Sequence, residues 1–361
     1  MIRSSVFAGR YIQGPGALDK LPVALTQLGK KAACLIDSAV ADELGPRIRE
    51  WNGIDLQVQV ASGGCTPTTI ATLTELANGC DMIIAMGGGR VIDTGRAAAD
   101  DLRLPFVCVP TAAASDAPCS ALAVIYDDNG QVLHDRFVKH NPAIVVVDTS
   151  ILIKAPIRLF ISGMGDALAT WYEADSCARS GATNLCGGRP TRLALEAARL
   201  CRDTLLTRGR KALEDCRQQR LTEAFEDAVE ANVLLSGLGF ESGGVAAAHA
   251  IHHGLAEVHS CHSALHGEKV TIGLLTSLFL SARSDEERRE LFVFCRDVGL
   301  PTRLAHVGLD PNDRAAVERV ARRACRQGEI IHNEPYPVEW TQVVEAMEAM
   351  DFYGSTFQTE Q

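Results

Sequence analysis

The chain has 361 residues, 47% of them hydrophobic and 22% charged, with a formal net charge of −10. That length and apolar content suit a globular protein with ample core and favour two domains. The acidic balance, with no basic run and no basic-and-aromatic stripe, argues against nucleic acid as a partner, and no apolar run approaches the ~18 residues of a membrane span. The opening stretch MIRSSVFAGRYIQGPGAL lacks the apolar centre of a signal peptide. Twelve cysteines without a C-x-x-C pair read as reduced, mostly buried thiols, which places the protein in the cytoplasm.

Along the first 150 residues, short apolar runs alternate with amphipathic stretches. KAACLID (31–37), DLQVQVA (55–61), DMIIAM (81–86), PFVCVP (105–110) and AIVVVD (143–148) read as buried parallel strands. Between them, 38–51, 66–79 and 90–102 read as helices, with Thr66 and Pro67 as a capping hydroxyl and a first-turn proline. This alternation predicts an α/β domain with a parallel sheet. The Asn129–Gly130 turn within IYDDNGQVLHDR (125–136) predicts an antiparallel hairpin. From about residue 155 strand texture vanishes. Helices are expected over 156–180, 190–217, 221–240, 243–257, 266–284, 286–298, 312–327 and 338–351, as in the 3.6-residue period of TRLALEAARLCRDTLLTRGRKAL. The change of texture is abrupt and no long linker marks it, so two closely packed domains around a cleft are expected.

Four features carry chemistry. Gly87, Gly88 and Gly89 lie between a strand and a helix start, a junction that suits a phosphate: the backbone can approach closely and free N–H groups point outward. Arg90 and Arg96 would add charge there. The pattern is not G-x-G-x-x-G, and a tight strand-to-helix turn is the plain alternative. Asp37, at the end of its strand, could bind ribose hydroxyls or cap the next helix. The third feature is a cluster holding six of the ten histidines, His249, His252, His253, His259, His262 and His266. Imidazole is a common metal ligand and proton carrier, although a single histidine is more often a plain surface or core residue. On a helix His249 shares a face with His252 and His253. Asp166, in the apolar stretch LFISGMGDALATWYEA, is costly unless it meets a cation or donors; a helix cap is the alternative.

Together these segments resemble the glycerol dehydrogenases, the zinc-using branch of the iron-containing (group III) alcohol dehydrogenases. The matching pieces are GGGRVIDTGR (87–96), PTAAASDAPCSALAVIYDDNG (110–130), NPAIVVVDTSILIKAPIRLFISGMGDALATWYEA (141–174), ARSGATNLCGG (178–188), EANVLLSGLGFESGGVAAAHAIHHGL (230–255), HGEKVTIGLL (266–275) and GEIIHNEP (328–335), in family order over nearly the whole chain. The resemblance implies a Rossmann-like α/β domain (1–155) binding NAD and an all-α domain (156–361) binding metal and substrate, the dehydroquinate synthase-like fold. Asp166, His249 and His266 match the metal ligands. Thr170 stands where iron-using relatives carry a further ligating histidine, which favours Zn2+ over Fe2+. Asp116 matches the substrate-contacting aspartate. Asp37, Gly87, Gly88, Gly89, Arg90, Thr111, Ser115, Ser120, Leu122 and Tyr126 match the NAD site. Arg90 and Arg96 replace the lysines more usual in the family, which leaves the choice between NAD and NADP open.

The implied reaction is oxidation of glycerol, or a related vicinal diol, to dihydroxyacetone, with one zinc per chain polarising the substrate hydroxyl. His252 or His253 would pass the proton to solvent, with His253 the candidate relay. The resemblance also implies a homo-oligomer, an octamer in the family. Glycerol-1-phosphate dehydrogenases and 3-dehydroquinate synthase-like cyclases share the architecture. Both handle phosphorylated substrates, and the segments nearest the ligands are neutral apart from Lys269. A metal-storage module without nucleotide affinity is the non-enzyme alternative.

Overall fold

The computed structural model describes residues 2–281 and 283–357. The chain divides into two compact units. One runs from Phe7 to Pro156 and takes in Gln219–Leu221; the other holds Ile157–Gln218, the chain from Thr222 onward, and the first residues up to Val6.

The first unit is α/β. Its strands are β1 (Tyr11–Gly14), β2 (Lys31–Ile36), β3 (Asp55–Val60), β4 (Met82–Gly87), β5 (Phe106–Pro110), β6 (Leu122–Tyr126), β7 (Val132–Phe137) and β8 (Ile144–Asp148). Six form one all-parallel sheet in the order β1-β8-β5-β4-β2-β3. β4, β5 and β8 are buried at every position, as strands covered on both faces must be. Each Val or Ile sequestered there contributes on the order of 1.5–3 kcal/mol. Helices α1 (Leu21–Leu25), α2 (Ser38–Arg49), α3 (Pro67–Leu76), α4 (Gly89–Leu102) and α5 (Thr149–Leu152) complete the unit. Thr66 opens α3 with a reciprocal hydrogen-bond pair to Thr69. β6 and β7 make the separate antiparallel hairpin, its turn closed by Gly130 at φ 80°.

β2 pairs with β3 on one side and β4 on the other: the chain steps outward from β2 to β3, then crosses back to β4 and continues the opposite way to β5. The crevice outside the carboxyl ends of β2 and β4 is therefore the topological switch point, the usual ligand position in open α/β sheets.

The second unit contains α6 (Ile157–Ser180), α7 (Arg192–Arg217), α8 (Glu223–Glu230), α9 (Ser236–Gly243), α10 (Ala247–Ala256), α11 (His266–Leu280), α12 (Asp285–Val298), α13 (Arg314–Ala324) and α14 (Trp340–Ser355), with no strand among its described residues. α6 is central and packs against α7, α9 and α11. The helix expected over 221–240 is interrupted by a π-helical turn at Ala231–Leu235, where the Asn232 amide reaches the Phe160 carbonyl (3.2 Å). No helix among the described residues is long and apolar enough to cross a membrane.

Candidate functional site

Asp166 lies in the middle of α6, so the helix-cap alternative for it does not hold. Its neighbour Gly165 allows α11 to come close: a Cβ there would stand 2.2 Å from Thr271 Oγ1 and 2.7 Å from the Gly267 carbonyl. Gly267, beside His266, is tighter still, with the Ser162 carbonyl 1.8 Å from where a Cβ would be. Two glycines, each next to a ligand candidate, thus let two backbones meet where side chains would hold them apart. α10 packs on α11 through Gly273, whose missing Cβ leaves room for the Ala248 carbonyl.

These crossings bring Asp166, His249 and His266 together. His266 Nε2 stands 3.1 Å and His249 Nε2 3.6 Å from Asp166 Oδ1, and the candidate ligand atoms all lie within 4.8 Å of one another. Asp166 and His249 are buried, while His266 is exposed. One carboxylate oxygen and two imidazole nitrogens, with no thiolate among them, form a donor set that fits zinc with coordination positions to spare.

The second nitrogen of each imidazole is also held. His249 Nδ1 is 2.6 Å from Glu173 Oε2, and His266 Nδ1 is 3.2 Å from His252 Nε2. Such outer partners fix ring orientation in metal sites. Sequence reasoning missed Glu173. Its signal was there: it lies seven residues after Asp166, two turns along the same apolar helix face.

Burial opposes charge on Asp166, yet the His266 and His249 imidazoles outweigh it and hold the carboxyl well below the usual range. Burial also disfavours charged His249, but Glu173 and Asp166 together raise its pKa well above the ordinary value.

The remaining histidines of the cluster divide. His253, expected as a proton relay, is tied through Nδ1 to Glu329 (3.1 Å), and it is His252 that touches His266. Burial raises the Glu329 carboxyl, but hydrogen bonds from His253 and Arg323 overcome it and bring the pKa down to about 2. His259 and His262 are exposed and pair with each other, ring centroids 5.1 Å apart.

In the α/β unit, Asp37, Gly87 and Thr111 sit at or just past the carboxyl ends of adjacent strands β2, β4 and β5. A Cβ on Gly87 would be 2.9 Å from Asp37 Cβ, whereas Gly88 and Gly89 face open space. Asp37 caps α2 by accepting the Ala39 N–H (3.0 Å). Gly88 opens α4 with no side-chain cap, and Val91 is the first residue to close a turn there, on the Gly88 carbonyl (3.0 Å). The amides of Gly89 and Arg90 precede it, at a helix N-terminus suited to an anion. The Arg90 guanidinium lies 5.2 Å from the centroid of the Tyr126 ring. Leu122 and Tyr126 share the partly exposed face of β6. Ser115 is half-buried in the loop after β5, Ser120 is buried against the Ala117 carbonyl, and Asp116 is buried just before the short 3₁₀ turn Ala117–Cys119.

Arg96 does not join this cradle. It is fully buried, bonded to Asp93 (2.7 Å) and to the carbonyls of Leu122 and Ala117, with the Phe106 ring 5.6 Å away. Six residues past Arg90, it falls on the face of α4 that packs inward, so its charge serves the fold.

A family model described as iron-containing alcohol dehydrogenase matches residues 8–149. The chain is 45% identical over 357 residues to a glycerol dehydrogenase of Thermotoga maritima, covering 98% of each chain. It is 38% identical over 349 residues to a glycolaldehyde reductase of Halobacterium salinarum, covering 95% of this chain and 96% of that one. The crystal structure of a probable glycerol dehydrogenase from Sinorhizobium meliloti superposes with a TM-score of 0.94 at 39% identity, covering 99% of this chain and 100% of the other. The chain is an oxidoreductase of the iron-containing alcohol dehydrogenase family, and within that family it belongs with the glycerol dehydrogenases.

Proposed function

We propose that this protein oxidises glycerol, and related small vicinal diols, with NAD+ as hydride acceptor and one zinc ion as Lewis acid, giving dihydroxyacetone, NADH and a proton. The observation that carries the reading is the convergence of Asp166, His249 and His266 in a chain so similar to named glycerol dehydrogenases. The three side chains would hold the metal. A bound zinc supplies Lewis acidity, lowering the pKa of an adjoining hydroxyl by several units.

The chain's own groups do the rest. Asp116 accepts a hydrogen bond from a substrate hydroxyl and so selects which carbon faces the nicotinamide. The amides of Gly89 and Arg90 hold the pyrophosphate, and Asp37 is offered to the ribose hydroxyls. Of the two relay candidates, His252 is the one in contact with His266 Nδ1, while His253 is tied to Glu329. Residues 1–155 serve the nucleotide and 156–361 the metal and substrate. A cytoplasmic homo-oligomer, octameric as in the family, completes the reading.

A substrate panel tests it. With NAD+, kcat/KM for glycerol should exceed that for glycerol 1-phosphate at least tenfold, and NADP+ should serve less well. Preference for the phosphorylated substrate would overturn the reading. Glycolaldehyde reduction belongs in the panel because one relative is named for it. Asp116→Asn should lower kcat/KM on glycerol more than on a simple secondary alcohol.

A further inference from the structure

The entry to α10 is held by side chains from elsewhere in the fold. The Val245 carbonyl accepts from Asn333 Nδ2 (2.8 Å) and from the Cys177 thiol (3.4 Å). Glu334 Oε1 accepts the Ala247 N–H (3.2 Å), and its Oε2 accepts from the Ser176 hydroxyl (2.7 Å). Glu173 Oε1 accepts two backbone donors, the N–H groups of Ala246 (2.8 Å) and His249 (2.9 Å). The HNEP stretch, singled out in the sequence without a role, thus anchors the first turn of the helix that carries His249. Glu173 differs from the other anchors because its second oxygen reaches the imidazole itself, 2.6 Å from Nδ1.

We propose that Glu173 is a positioning residue that sets the tautomer of His249 for metal binding; this rests on the metal reading above. An imidazole that offers Nε2 to a cation must carry its proton on Nδ1. Glu173 is 2% exposed, and its Oε1 is committed to two N–H donors, so the carboxylate presents Oε2 as an acceptor. A proton on Nδ1 is the arrangement that satisfies both groups. Glutamine at this position cannot reproduce it. With its carbonyl on the two backbone donors, its NH2 would face Nδ1 and require a bare nitrogen there, moving the proton to Nε2. With the amide reversed, the NH2 would face two N–H groups. The first orientation satisfies the metal-free protein but leaves Nε2 protonated and closed to a cation; the second sets buried donors against donors.

The test is zinc titration of the full chain against a chelating indicator. Wild type should bind one zinc, and Glu173→Gln should bind it about 10–100-fold more weakly, with the melting temperature of the metal-free protein nearly unchanged. Glu173→Asp keeps an acceptor-only group and should recover part of the loss. Glu173→Gln binding within twofold of wild type, or Glu173→Asp no better than Glu173→Gln, overturns the proposal. Wild type that binds no zinc overturns the metal reading itself. Imidazole 15N NMR of the wild-type zinc protein gives a check independent of any variant: His249 should carry its proton on Nδ1, and a proton on Nε2 contradicts the assignment.

Discussion

Gly267 and Ser162 meet backbone to backbone, with the Ser162 carbonyl 1.8 Å from the position a Cβ on Gly267 would occupy. The obstacle is main chain, so no side-chain rotation relieves it, and alanine at 267 must drive α11 away from α6. Those helices carry His266 and Asp166. Gly267→Ala should cost about 1–3 kcal/mol or more of stability, read by denaturant unfolding, and should weaken zinc binding at the same time. Unchanged stability would mean that the two helices do not cross as described.

Buried Arg96 and Asp93 form an ion pair of the α/β unit. Burial pushes the Asp93 carboxyl up to about 6, against the pull of Arg96 and of the Val124 N–H. Removing the cation alone leaves a desolvated carboxylate, so Arg96→Met should lose about 3–5 kcal/mol at neutral pH. The loss should be smaller below pH 6, where Asp93 takes up its proton in the folded state. Comparing unfolding free energies at pH 5 and pH 7.5 checks both the size and the sign.

What was legible in the sequence, and what was not, follows from how each element is specified. Five sheet strands and most helix spans announce themselves through local periodicity. β1 did not, because Tyr11–Gly14 is four half-buried residues at a sheet edge, too short to show a pattern. At the break over Ala231–Leu235 the Asn232 amide reaches the Phe160 carbonyl, a tertiary contact that local propensity cannot reveal. The Asp166, His249 and His266 trio came from family resemblance, since spacing alone left every histidine in the cluster eligible. Arg96 was misread because nearness in sequence to the glycine turn hid the inward turn of its helix face. Glu173 was overlooked although it lies on the same face as Asp166.

Protons and metal compete for His249. Its pKa is raised well above the ordinary value by Glu173 and Asp166, against burial, so at neutral pH zinc must displace a proton from Nε2. Apparent zinc affinity should therefore rise with pH, by about tenfold per unit while His249 remains protonated in the metal-free protein. Indicator titrations at pH 6, 7 and 8 measure it. Affinity independent of pH would show that zinc displaces no proton from His249.

Gly88 and Gly89 leave open space where their side chains would be, and Gly88 has an ordinary φ of −81°. Alanine at 88 should thus leave folding nearly untouched. If the pyrophosphate lies against this turn, the added methyl collides with it, and NADH affinity should fall at least tenfold, about 1.4 kcal/mol. Fluorescence titration with NADH and a thermal melt on the same variant separate the two effects. Undiminished NADH affinity would place the pyrophosphate elsewhere.

X-ray absorption at the zinc edge of the purified protein tests most directly whether Asp166, His249 and His266 hold the metal. Only nitrogen and oxygen neighbours are expected, at about 2.0–2.2 Å, with two imidazole scattering patterns. Sulfur neighbours at about 2.3 Å would mean that cysteines hold the zinc, and would contradict that assignment.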